Sequence, residues 1–129
     1  MGFRTPSISI HMPNVAAGTD EERYTVVELP SPKARIVAVS LVVDATATAH
    51  ASNYTDLALQ NGATVIASHS TATGGDGTLT AGTAVPLSIV AGTDVVADGD
   101  VLSLTKTDSG TGVAAQSTVT VLFEEQPLP

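Results

Sequence analysis

The sequence predicts an all-β protein: an antiparallel β-sandwich of about seven to eight strands, jelly-roll-like, with an extended N-terminal arm. Three observations carry that expectation. Apolar and polar residues alternate over short runs, at the period of two that a half-buried strand requires. Turn residues recur between those runs, and no stretch shows a convincing helical repeat. The interior must be filled almost wholly by Val, Leu, Ile and Ala, because the 129 residues include no Trp, two Tyr and two Phe. Side chains of that size suit two thin sheets whose inner faces lie about 10 Å apart.

The length predicts one domain, and a chain of this size buries roughly two-thirds of its unfolded surface. Its expected divisions are an arm over residues 1–20, a sandwich over 21–125 and a short acidic, Pro-containing tail over 126–129. In the arm, Ile8, Ile10 and Met12 share one parity of an alternating run bracketed by Pro6 and Pro13. Proline at both ends favours an edge position. Either the arm is a frayed terminus or it adds a strand to a neighbouring molecule.

The next strand is expected over 23–29, ended by Pro30-Ser31-Pro32. Residues 34–43 form the longest nearly unbroken apolar run, and their β-branched content favours a strand. One parity carries Val37, Val39, Leu41 and Val43, the expected inner face. The other carries Ile36, Ala38, Ser40 and Val42, which is small and mixed.

Residues 44–52 read as a loop, since Thr and weak periodicity argue against a helix. Residues 53–60 and 63–68 form strands around the hairpin signal Asn61-Gly62. The low-complexity run 69–83 reads as the largest loop. Strands follow at 84–90, 101–106 and 117–124, separated by the turns Asp98-Gly99-Asp100 and Ser109-Gly110-Thr111-Gly112. The long connections at 44–52 and 69–83 favour Greek-key or jelly-roll crossings over a meander.

Five basic residues stand against thirteen acidic ones, a net charge of −8. Binding a DNA or RNA backbone requires a basic footprint, which this chain lacks. With no cysteine there is no disulfide, thiol nucleophile or zinc–thiolate site. The N-terminus lacks the apolar core of a signal peptide, and Pro6 breaks the myristoylation pattern. No apolar run approaches the roughly 18 residues of a membrane span. Synthesis in a cytoplasm is the expectation, with no membrane partner.

Candidate chemistry is sparse. His11, His50 and His69 stand in no metal-ligand spacing. No Gly-x-Ser-x-Gly elbow marks a nucleophile. Gly74-Gly75-Asp76-Gly77 lacks the Lys and following helix of a phosphate loop. Asp94, Asp98 and Asp100 could offer oxygens to calcium, but turn chemistry explains the Asp-Gly-Asp unaided. Four aromatics offer little platform for a lectin or glycosidase. No catalytic residue, metal ligand or cofactor is therefore expected.

The series Ala34-Arg-Ile-Val-Ala-Val-Ser-Leu-Val-Val43, Asn53-Tyr54-Thr55 to Leu59, Val96-Ala97-Asp98-Gly99-Asp100-Val101-Leu102-Ser103-Leu104, and Gly110-Thr111-Gly112 ahead of Ser117-Thr-Val-Thr-Val121 resembles small proteins encoded among the head genes of tailed bacteriophages. These are capsid decoration (cement) or head-fibre proteins. The likeness spans about residues 34–124 and rests on strand order and an Ala-x-Gly-Asp-x-Leu turn. It implies a non-enzymatic β-sandwich on the outer surface of a virion capsid, commonly a trimer, that bridges capsomers of the major capsid protein. A head-fibre or tail-associated module recognising host glycan is the alternative. The expected interface is Ile8, Ile10 and Met12 of the arm, with Ala38 and Ser40 on the small face of the central strand.

Overall fold

Alternating runs become strands because each can bury one parity against a second sheet while the other parity faces outward. The computed structural model describes residues 7–29 and 32–125. Among them are nine strands and no helix: β1 Ser7–Val15, β2 Glu21–Val26, β3 Lys33–Val43, β4 Tyr54–Asn61, β5 Thr64–Ser70, β6 Val85–Leu87, β7 Val95–Ala97, β8 Val101–Ser109 and β9 Ala115–Glu125. One more strand is present than the upper sequence expectation, because residues 84–100 yield two short strands.

The strands form two antiparallel sheets. In the first the order is β1-β9-β3, and the far edge of β3 is shared. There β6 pairs with residues 39–41 and β7 with residues 33–35. The second sheet has the order β2-β8-β4-β5. Ile10, Met12, Ile36, Leu41, Val119, Val121 and Phe123 of the first sheet share one core with Leu57, Leu59, Ile66, Leu102 and Leu104 of the second. Phe123 is the one fully buried aromatic among the described residues.

The expected arm is, over its described part, an integral edge strand. Residues 7–12 of β1 pair in register with residues 117–122 of β9. Ile10 and Met12 are sealed in the core, and Ile8 packs against it. The reason is the arm's own alternation: its apolar parity finds an open seat beside β9 in the same chain. Residues 1–6 of the arm and the 126–129 tail lie outside the described residues.

A second correction concerns β3. Ile36 stands opposite Phe123 and Ala38 opposite Leu122, leaving Val37 as an extra residue in a β-bulge. A bulge inserts one residue and so reverses the parity that follows it. Ala34 and Ile36 therefore point inward before it, and Val39, Leu41 and Val43 after it. Val37, expected inside, is 42% exposed, whereas Ile36, expected on the small face, is 2% exposed.

The β4–β5 hairpin closes through Gly62 and Ala63, with Asn61 paired to Thr64. Gly62 takes a φ of 60° at the first central position, a backbone that suits glycine. The 69–83 run is tied down more firmly than its composition suggests. Leu79 is buried and exchanges two backbone hydrogen bonds with Ala47, at 2.8 and 3.0 Å.

Candidate functional site

The outward parity of the first sheet builds one flat surface. Strand register lays out three rows across it: Ser7, Leu122 and Ala38; Ser9, Thr120, Ser40 and Pro86; His11, Thr118 and Val42. The hydroxyls of Ser9 and Thr120 lie 3.1 Å apart, and His11 Nδ1 lies 2.9 Å from Thr118 Oγ1. Ala38, Ser40 and Val42 are half-buried by their neighbours. Leu122 and the bulged Val37 remain partly exposed beside Ala38.

These rows contain no Asp, Glu, Lys or Arg, in a chain of net charge −8. Charge returns at the margin, where Arg35 and Glu124 pair across β3 and β9 at 3.1 Å with both side chains about half exposed. An exposed pair of this kind contributes little stability. Small side chains let another protein's backbone approach closely, and no ionised group has to be stripped of water when the rows are covered.

Of the five interface residues expected from sequence, Ala38 and Ser40 lie on this surface. Ile8, Ile10 and Met12 occupy the opposite parity of β1 and face the core. The five therefore do not form one patch. What sequence reasoning missed on the surface is the contribution of β9 and of the polar parity of β1. The Ser117–Leu122 alternation held the signal for Thr118 and Thr120, but only the register brings them beside Ser40.

His11 lies in β1, His50 in the connection between β3 and β4, and His69 in β5. His50 Nδ1 accepts the amides of Ser52 and Asn53 at 3.1 and 2.9 Å, closing a turn. His69 is buried, and its Nε2–H donates to the Gly77 carbonyl at 2.9 Å. Asp76 accepts the Ser70 amide at 2.9 Å. Asp98 accepts the Leu29 amide, and Asp100 accepts the Ala97 amide and the Asn61 side-chain amide, at 2.9, 2.9 and 3.0 Å. These carboxylates organise turns. Among the described residues, no three His, Asp or Glu side chains cluster in a way that could hold a metal ion.

One charged network was not anticipated. Lys106 follows Leu102 and Leu104 on the inward parity of β8 and is fully buried. Its ammonium donates to Asp108 Oδ2 at 2.6 Å and to the carbonyls of Ala16 and Thr19 at 3.3 and 2.9 Å. Asp108 also accepts the Thr55 hydroxyl at 2.6 Å and the Gly18 amide at 2.8 Å. Burial pushes the Asp108 carboxyl up, but the hydrogen bonds from Lys106 and Thr55, the Lys106 charge and the Gly18 amide together outweigh it and hold it below 3.8. The network fastens the β1–β2 connection to the sandwich. Its signal in sequence was Lys106 falling on the apolar parity, with Asp108 two residues on along the same face.

The outer face of the second sheet has a shallow depression lined by Tyr54, Asp56, Ala58, Ser68, Ser70 and Ala72. Asp56 Oδ1 is enclosed there without a hydrogen bond. On the same face Tyr24 is well exposed. A hydrogen bond to Glu22, then burial, then the Glu22 charge raise its phenol above the ordinary 10.0.

No family model matches the chain, and neither a curated protein nor a solved structure matches it.

Proposed function

We propose that the protein is a non-enzymatic virion structural protein that decorates the outer surface of a phage capsid and stabilises it by bridging capsomers. The observation that carries the reading is the uncharged, small-residue surface of the first sheet, centred on Ala38, Ser40 and Thr120. The sequence resemblance to capsid decoration proteins points the same way. The partner is the major capsid protein, and the protein acts as a homo-oligomer, a trimer by the same resemblance. It is made in the host cytoplasm, and neither nucleic acid nor membrane is needed.

The strand path supports a jelly roll as the finer description of the fold. If β6 and β7 count as two halves of one interrupted strand, eight strands divide evenly between the sheets. The chain then crosses between sheets at β1–β2, β2–β3, β3–β4, β5–β6, β7–β8 and β8–β9. Viral capsid and lectin domains use that architecture.

The mechanism is mechanical. Each docked copy covers a flat apolar and hydroxyl surface against the shell, at no cost in buried charge. Individually weak contacts become strong when oligomer and lattice engage together. The net charge of −8 keeps the free protein soluble until it docks.

The test is to add purified protein to undecorated shells and measure occupancy and the temperature at which the shells break. Saturable occupancy with a raised breakage temperature is expected. No association and an unchanged temperature would refute the proposal. The depression around Tyr54 and Asp56 favours one alternative, a head-fibre or tail-associated module that binds host glycan, since an aromatic wall and polar groups suit a sugar. Binding to a glycan array with no effect on shells would select that reading.

A further inference from the structure

A sheet edge exposes a row of unpaired backbone donors and acceptors, and proteins protect such edges with charge, proline, bulges, short strands or covering loops. Three edges of this fold are protected. Edge strand β2 carries Glu21, Glu22 and Arg23. At β5 the Ile66 carbonyl accepts the Val90 amide at 2.8 Å, and the Ser70 carbonyl accepts the amides of Asp76 and Gly77 at 3.0 and 3.1 Å, so connecting loops cover it. The β6 and β7 edge is two separate pieces of three residues each, one of them containing Pro86.

The fourth edge, β1, is different. Residues 7–12 pair regularly with β9 on one side, and among the described residues no strand pairs on the other. The run Ser7-Ile8-Ser9-Ile10-His11-Met12 has no Asp, Glu, Lys, Arg, Pro or bulge. Protection resumes only at Pro13 and at the register shift between Met12 and Val15.

We propose that β1 pairs with β1 of a second copy of this chain, antiparallel, about a twofold axis normal to the first sheet near Ser9. Three features select a second copy as the occupant. Residues directly opposite in an antiparallel pair lie on the same face, so Ser7, Ser9 and His11 of each copy stay outside while Ile8, Ile10 and Met12 of each stay inside. A chain of net charge −8 meets itself with least repulsion where it carries no charge, and β1 with its neighbours Thr118 and Thr120 is such a place. The contact is isologous, so it consumes the open edge of both copies and this edge takes no third. The pairing would join the two uncharged surfaces into one continuous sheet face. It is independent of the capsid proposal and separate from any threefold contact.

Sedimentation equilibrium of the wild type, of Ser9→Lys and of His11→Lys tests it. Both side chains are exposed, and thermal melts verify that each variant is folded. The wild type is expected to self-associate through this two-copy contact with a dissociation constant that rises roughly tenfold or more in Ser9→Lys, since like charges then face each other across the new pair, whereas His11→Lys, opposite Ser7, weakens it less. Amide exchange on the wild type gives a reading that needs no variant: amides in residues 7–12 should slow as protein concentration rises through the dimer range. A monomeric wild type, an oligomer of unchanged affinity in folded Ser9→Lys, or exchange in 7–12 independent of concentration would overturn the proposal.

Discussion

Lys106 Nζ lies 2.6 Å from Asp108 Oδ2, with the two side chains 0% and 3% exposed. The pair sits on one face of β8 because residues two apart in a strand point the same way. All three ammonium protons have acceptors, in Asp108, Ala16 and Thr19. Breaking such a pair by removing one partner leaves an uncompensated buried charge, which costs about 3–5 kcal/mol. Asp108→Ala should lose that much in denaturant unfolding. The double variant Lys106→Met/Asp108→Leu should lose clearly less than the sum of its single variants, because neither charge is then left alone.

The same pair makes stability depend on pH. The folded Asp108 carboxyl titrates below its ordinary 3.8, so the unfolded chain takes up this proton first as pH falls. Its contribution is complete above about pH 5 and is lost as pH falls through the folded value. Unfolding free energy measured from pH 7 down to 2.5 should decline in the acid limb. Asp108→Asn should flatten that limb.

The bulge in β3 separates two adjacent apolar residues by their burial. Ile36→Ala removes fully buried methylenes opposite Phe123 and should cost about 2–5 kcal/mol. Val37→Ser, at an exposed position, should stay within about 0.5 kcal/mol. Chemical denaturation of the two variants checks the assignment, which would fail if Val37→Ser proved the more damaging.

Deleting residues 1–13 separates an appended arm from a built-in strand. The sequence alone predicts that the remaining β-domain folds without them. Because Ile10 and Met12 are core residues and β1 pairs with β9, the truncated chain should instead lose its cooperative thermal transition.

The fold class was legible because alternation, turn residues and the scarcity of aromatics agree with one another. Strand existence followed from the period of two. What the sequence hid was register. Val37 looks like its neighbours in a run of β-branched residues, and only the pairing with β9 reveals it as the extra residue. Ala38 and Ser40 were legible as a face too small for a core. Their partners Thr118 and Thr120 come from a strand some eighty residues away, and no local pattern joins them. The partner of β1 was hidden for the same reason, since an apolar alternation says that a strand needs a partner without saying which chain supplies it. Leu79, the only large apolar residue in the 69–83 run, marked the point where that loop is anchored.

The most direct test of the account places two large charges at the centre of the uncharged surface. Ala38→Arg/Ser40→Arg protein, shown by its melt to be folded, is mixed with undecorated shells beside the wild type, and bound protein is measured by cosedimentation together with the breakage temperature. The account predicts that the wild type saturates the shells and raises that temperature, and that the double variant stays in the supernatant and leaves it unchanged. Equal occupancy and equal stabilisation by the two proteins would contradict it.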